Sequence, residues 1–127
     1  MTGVKFLLDT NILIGLFNRN ASVTALLTEK QAAIHQCAFS AITRMELLSY
    51  QGLTDTDRGI IEQLLARMHY LPITAAIEDT SIAFRQKHTC KLPDAIIAGT
   101  AALHQLELLT LDTSLARKAG AEAVSNI

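Results

Sequence analysis

The sequence has no tryptophan, and only 5% of its 127 residues are aromatic. Phe6, Phe17, Phe39 and Phe84 all fall on apolar runs, so a stacking platform for single-stranded bases is not expected. There are two cysteines, Cys37 and Cys90, with no CxxC pair and no Cys/His spacing suited to zinc. They read as small buried hydrophobes in a reducing compartment. His35, His69, His88 and His104 are scattered, without the i, i+4 pairing of a zinc helix. No run approaches the ~18 apolar residues of a spanning helix. The first apolar run, Phe6-Leu7-Leu8, stops at Asp9 with no small-residue cleavage site after it, unlike a secretory signal. No membrane association is expected, and the cytoplasm is the expected compartment. An excess of positive charge is also missing: 11 Lys+Arg stand against 12 Asp+Glu, a net charge of −1. That excludes holding nucleic acid by bulk charge alone. A polyanionic partner requires a local basic surface or a metal.

What the chain does have is apolar material. Half of the residues are hydrophobic and 18% are charged, enough for the core of one domain spanning residues 1–127. Val4 to Leu8 reads as a buried strand that turns into a helix after Asp9-Thr10-Asn11. Cys37-Ala38-Phe39 is a second strand, passing at Ser40 into a helix of about ten residues from Ala41. Thr54-Asp55-Thr56-Asp57 caps an amphipathic helix carrying Ile60, Ile61, Leu64, Leu65 and Met68. Tyr70 to Ile73 is a third strand, and Ile77, Ser81, Phe84 and His88 share one face of the helix after it. Pro93 takes the first position of a helix that is apolar almost all round from Asp94 to Leu106. Leu108 to Leu111 is a fourth strand, Thr113 to Lys118 a short helix, and Ala123-Val124 a weak fifth strand after Gly120. Alternating short strands and helices give a three-layer α/β/α fold around a parallel sheet of four to five strands.

In such sheets ligands gather outside the carboxyl ends of the strands, and acids stand there. Asp9 follows the first strand, Asp112 follows the fourth, and Asp94 opens the buried helix. Glu46 lies about 40° around its helix from Ile42, inside the apolar arc, so it is expected to face protein more than water. Each acid singly can be a helix cap, a first-turn acid or a solvated edge residue. Together they repel unless protonated or bridged by a cation. Oxygen-only ligation suits Mg²⁺ or Mn²⁺.

Asp9-Thr10-Asn11 after a strand, then Thr43-Arg44-Met45-Glu46-Leu47, Leu92-Pro93-Asp94-Ala95-Ile96-Ile97-Ala98 and Leu109-Thr110-Leu111-Asp112, in this order, resemble the PIN domain, particularly the VapC-type toxins of bacterial toxin–antitoxin pairs. The resemblance runs from residue 4 to about 125. It implies a metal-dependent endoribonuclease in which Asp9, Glu46, Asp94 and Asp112 are catalytic and hold one or two Mg²⁺ or Mn²⁺ ions. Water activated by the metal would attack phosphorus in line, leaving a 5′-phosphate and a 3′-hydroxyl without a protein nucleophile. It also implies an RNA substrate, a small antitoxin in the active-site groove and a homodimer formed through helices. Thr10, Asn11, Ser40, Thr43 and Thr110 are candidates to support the acids. Arg85, which matches an arginine often seen in the family, and Lys91 are candidates to bind substrate phosphate.

Two departures from the family pattern stand out: the glycine expected soon after the helix glutamate is delayed to Gly52, and Leu111 stands where a charged residue is frequent. Alternative readings are a PIN-type nuclease of RNA processing without an antitoxin and a receiver-like signalling domain. The latter lacks its acidic pair, since Asp9 is solitary, and no lysine follows Leu108–Leu111. A phosphatase of the haloacid-dehalogenase kind lacks its second aspartate, since Asn11 stands there.

Overall fold

Successive side chains of a strand point to opposite faces of its sheet, and in this chain both faces are apolar. The computed structural model describes residues 3–125, with side chains to residue 122. Strand β1 (Phe6–Leu8) sends Phe6 and Leu8 into one hydrophobic cluster and Leu7 into another. Strand β2 (Cys37–Ser40) divides Cys37 and Phe39 from Ala38 in the same way. A sheet buried on both sides needs helices on both sides.

Strand β3 covers His69–Leu71 and β4 covers Glu107–Leu109. All four strands are parallel, in the order β3-β2-β1-β4. Helices α1 (Thr10–Phe17), α2 (Ala21–Glu29), α3 (Ala41–Leu48) and α4 (Asp55–Ala66) supply the cluster that holds Ile12, Leu13, Val23, Leu47, Ile61 and Leu65. Helices α5 (Ala75–Lys87), α6 (Leu92–His104) and α7 (Thr113–Ser125) cover the other face with Phe84, Ala95, Ile97, Ala98, Ala101 and Leu115. The three-layer α/β/α expectation is met. Among the described residues, no helix is long and apolar enough to cross a membrane.

Local sequence accounts for the boundaries. Thr54 and Thr74 cap α4 and α5 by accepting the amides of Asp57 and Ile77. Asn20 caps α2 through the amides of Ser22 and Val23, which separates that helix from α1. The two helices approach closely at Gly15, where a Cβ would stand 2.3 Å from a Val23 methyl.

Several expected boundaries move. The third strand begins one residue earlier than Tyr70 and ends at Leu71, before Pro72, which has no amide to give to a ladder. Pro93 is the second helical residue rather than the first. The expected fifth strand at Ala123-Val124 is absent: both residues belong to α7, which runs on through Gly120 to Ser125. One glycine lowers helix stability by ~1 kcal/mol, and the alanines at 116, 119, 121 and 123 favour the helix.

Candidate active site

The chain runs from β1 outward through β2 to β3, then returns to place β4 on the other side of β1. The carboxyl ends of β1 and β4 therefore form the topological switch point, where open parallel sheets bind ligands. Leu8 pairs with Leu109, and the Asp9 amide donates to the Leu109 carbonyl at 3.0 Å. Asp9 and Thr110 leave the sheet side by side as a result.

Asp9 is only 6% exposed. Its Oδ1 accepts the Thr10 amide at 2.7 Å, and its Oδ2 accepts the Thr110 hydroxyl at 2.7 Å and the Asn11 amide nitrogen at 3.4 Å. Burial pushes this carboxyl above the ordinary aspartate range. Hydrogen bonds from Thr110 and Thr10 oppose the shift, and the carboxylates of Asp94 and Glu46 add to it.

Asn11 and Thr110 lock the two chain segments together. Asn11 Nδ2 donates to Thr110 Oγ1 at 3.2 Å, and Asn11 Oδ1 accepts the Leu111 amide at 3.1 Å. Thr110 Oγ1 also accepts the Asp112 amide at 3.1 Å. The threonine thus binds the first acid through its proton and fixes the backbone of the last through its lone pairs. Asp112 is exposed and caps α7, its Oδ1 accepting the Leu115 amide at 3.1 Å.

Glu46 is reached through hydroxyls. Thr10 Oγ1 lies 2.6 Å from Glu46 Oε1 and 3.0 Å from Thr43 Oγ1, and Ser40 Oγ lies 3.4 Å from Thr43 Oγ1. A hydroxyl has one proton to give, and the carboxylate is the strongest acceptor in the chain, so Thr10 donates to Glu46. Thr43 then donates to Thr10, and Ser40 to Thr43. Ser40 also caps α3 by accepting the Thr43 amide. Glu46 itself is exposed, contrary to the expectation that it faces protein. Ala41, Thr43 and Leu47 are the buried residues of α3, while Ile42, used to orient Glu46, is only half-buried.

Asp94 is half-buried in the first turn of α6. Burial raises its pKa, the Asp112 and Glu46 carboxylates raise it further, and Lys91 and Lys118 pull it down. The four acids are electrostatically coupled across one sheet edge. Among the described residues, however, no three carboxylate, imidazole or thiol side chains close on a common point as a ready metal cage. All donors in the group are oxygens, a chemistry that fits Mg²⁺ or Mn²⁺ and not a thiolate- or imidazole-preferring ion.

The two basic residues singled out in the sequence lie on the Asp94 side. Lys91 is exposed at the cap position of α6. Arg85 is exposed near the end of α5, its Nε donating to the Cys90 carbonyl at 3.3 Å. Sequence reasoning missed Lys118, which is half-buried on α7 and acts on Asp94. Its i+3 spacing from the buried Leu115 was the available signal.

The PIN domain family matches residues 6–121. Among solved structures, the chain is similar to one in a toxin–antitoxin complex from Klebsiella pneumoniae, with 37% identity, 86% of this chain and 88% of that one covered, and a TM-score of 0.74. VapBC2 from Rickettsia felis bound to a DNA fragment from its promoter shares the fold at 17% identity, 90% and 92% coverage and a TM-score of 0.72. FitAcB from Neisseria gonorrhoeae does so at 24% identity, 91% and 93% coverage and a TM-score of 0.68. Comparison with curated proteins finds no significant match. The resemblance read from the four motifs is thereby borne out, VapBC complexes included, and the chain belongs to the PIN domain family.

Proposed function

We propose that the chain, as one PIN domain over residues 1–127, is the toxin of a type II toxin–antitoxin pair and a Mg²⁺- or Mn²⁺-dependent endoribonuclease. The observation that carries this reading is the gathering of Asp9, Glu46, Asp94 and Asp112 at the switch point of a PIN fold. These four carboxylates would hold the ion. When bound, the divalent cation offsets the charge of the scissile phosphate and lowers the pKa of water so that hydroxide is available near neutral pH.

The chain's own residues do the rest. Thr110 and Asn11 keep Asp9 aimed, and Thr10 keeps Glu46 turned toward Asp9. Burial and mutual repulsion hold Asp9 and Asp94 poorly compensated, which favours an incoming cation. Lys91, which acts on Asp94, and Arg85, tied to the Cys90 carbonyl, are candidate contacts for the RNA backbone. Recognition then rests on phosphates and RNA shape.

The toxin assignment draws on the likeness to the Klebsiella complex. A cavity of about 200 Å³ beside the site, walled by Ile14, Phe17, Tyr50 and Leu53 and edged by Glu46 and Asp57, suits an apolar antitoxin segment carrying a basic residue. Exposed Ile82, Leu92 and Leu103 on α5 and α6 offer a surface for a homodimer. An RNA substrate and an antitoxin both assign the protein to the cytoplasm.

The test is cleavage of total RNA by the purified chain with Mg²⁺, with EDTA and as Asp9→Asn. Cleavage should require Mg²⁺ and fall by ~10²–10³-fold or more in the variant. Wild-type rates in Asp9→Asn or in EDTA sink the metal-site reading. Co-purification with the product of a neighbouring short reading frame, and loss of cleavage in that complex, supports the toxin role. A cleaving chain with no such partner favours a nuclease of RNA processing.

A further inference from the structure

Helices α1 to α5 each begin with a side chain that accepts first-turn amides: Asp9, Asn20, Ser40, Thr54 and Thr74. Helix α6, whose first turn carries Asp94, does not. Lys91 occupies its cap position and makes no side-chain cap bond. The segment leading into the helix, residues 88–91, is gripped from outside instead. Arg85 on α5 donates through Nε to the Cys90 carbonyl at 3.3 Å, and Lys118 on α7 donates through Nζ to the Thr89 carbonyl at 2.6 Å. Two cations from two helices therefore hold two consecutive carbonyls just before Lys91 and Asp94.

The two ties differ in reach. Arg85 belongs to the helix that runs directly into the segment, so its bond is local, spanning five residues. Lys118 spans 29 residues and comes from the helix that Asp112 caps. Its bond therefore joins the segment carrying Asp94 to the element carrying Asp112. An ammonium has three donors, so one committed to Thr89 leaves charge to act on Asp94.

We propose that Lys118 is a positioning residue for the proposed RNA cleavage, fixing the Thr89–Lys91 segment against α7 so that Asp94 and Lys91 are held in register with Asp112. This rests on the nuclease reading above. It makes the α5–α6 connection, rather than a helix cap, the determinant of where Asp94 stands. Groups that orient a metal-binding carboxylate typically affect activity or metal affinity by 10–100-fold.

The experiment compares wild type with Lys118→Met and Lys118→Arg, using amide hydrogen exchange over residues 88–95 without metal and RNA cleavage across a Mg²⁺ titration. Lys118→Met should speed exchange in that segment, lower kcat on the order of 10-fold with little change in KM, and raise the Mg²⁺ concentration for half-maximal rate. Lys118→Arg, which keeps a charged donor, should restore both exchange and kcat. Wild-type exchange in Lys118→Met overturns the proposal whatever the activity. An unchanged kcat with a raised KM and a shallower salt dependence overturns it as well, by assigning Lys118 to phosphate contact. A wild-type chain that does not cleave RNA, in a preparation where Lys118→Met still loosens residues 88–95, leaves the tie standing and brings down the nuclease reading.

Discussion

Asp9 and Asp94 stand at the same edge of the sheet and are fixed in opposite ways. Asp9 leaves the central strand, is buried, and is surrounded by donors from the turn after β1 and the turn after β4. Asp94 stands at the start of an uncapped helix and depends on a connection tied by two long basic side chains. Short threonine and asparagine side chains carry little conformational entropy to lose, whereas lysine and arginine lose up to ~2 kcal/mol when held. The Asp9 side is thus set once the strands pair, and the Asp94 side costs more side-chain entropy to hold. Under the proposed function, the site would have one wall fixed by the strand ends and one wall held by long basic side chains.

Three perturbations probe how far the fixed wall and its neighbour Glu46 depend on their short polar partners. Thr110→Val strikes the fixed wall at its centre, removing the donor to Asp9 Oδ2 and the acceptor of the Asp112 amide together. Cleavage should fall 10–100-fold, with a matching rise in the Mg²⁺ requirement measured by titration. Thr10→Val removes only the hydroxyl that reaches Glu46. Because Glu46 is exposed and retains access to water, the loss should be smaller, about 10-fold. Equal effects of the two variants would show that the exposed Glu46 depends on its hydroxyl partner as much as the buried Asp9 does.

The smallest effect concerns stability. The Asp9 pKa is raised in the folded chain, so below the unfolded value both states are protonated and the group is neutral toward folding. As pH rises through the interval between the unfolded and folded values, the unfolded chain releases its proton first and the metal-free fold loses stability. Asp9→Asn should flatten that part of the stability profile. Denaturant midpoints across pH 3.5–7 without metal test this, and an unchanged pH slope would contradict the burial argument.

The fixed wall was also the part easiest to read from sequence. An apolar strand ended by Asp9, and a second ended by Thr110 and Asp112, imply a shared carboxyl edge once the sheet is parallel. Periodicity failed where burial is one-sided or weak. Glu46 was turned the wrong way because α3 spans only eight residues and Ile42 is a poor guide to its inward face. The separation of α1 from α2 falls at the polar run Asn18-Arg19-Asn20, where Asn20 caps α2. The end of α7 was misread because Gly120 was given more weight than the alanines around it. Lys118 was missed because its i+3 spacing from Leu115 marks only its face of α7, while its role depends on where the Thr89 carbonyl lies in the tertiary structure. The same holds for the relay from Ser40 through Thr43 and Thr10, which exists only once the fold brings these hydroxyls to Glu46.

Asp112 serves two structures at once. The oxygen that accepts the Leu115 amide holds the first turn of α7 closed, and a side-chain cap of this kind stabilises a helix by ~1 kcal/mol. Any ligand that draws this oxygen away competes with the helix for it. For such a ligand, occupancy of the proposed site and fraying of α7 would be linked, and the last helix would gauge whether that site is filled.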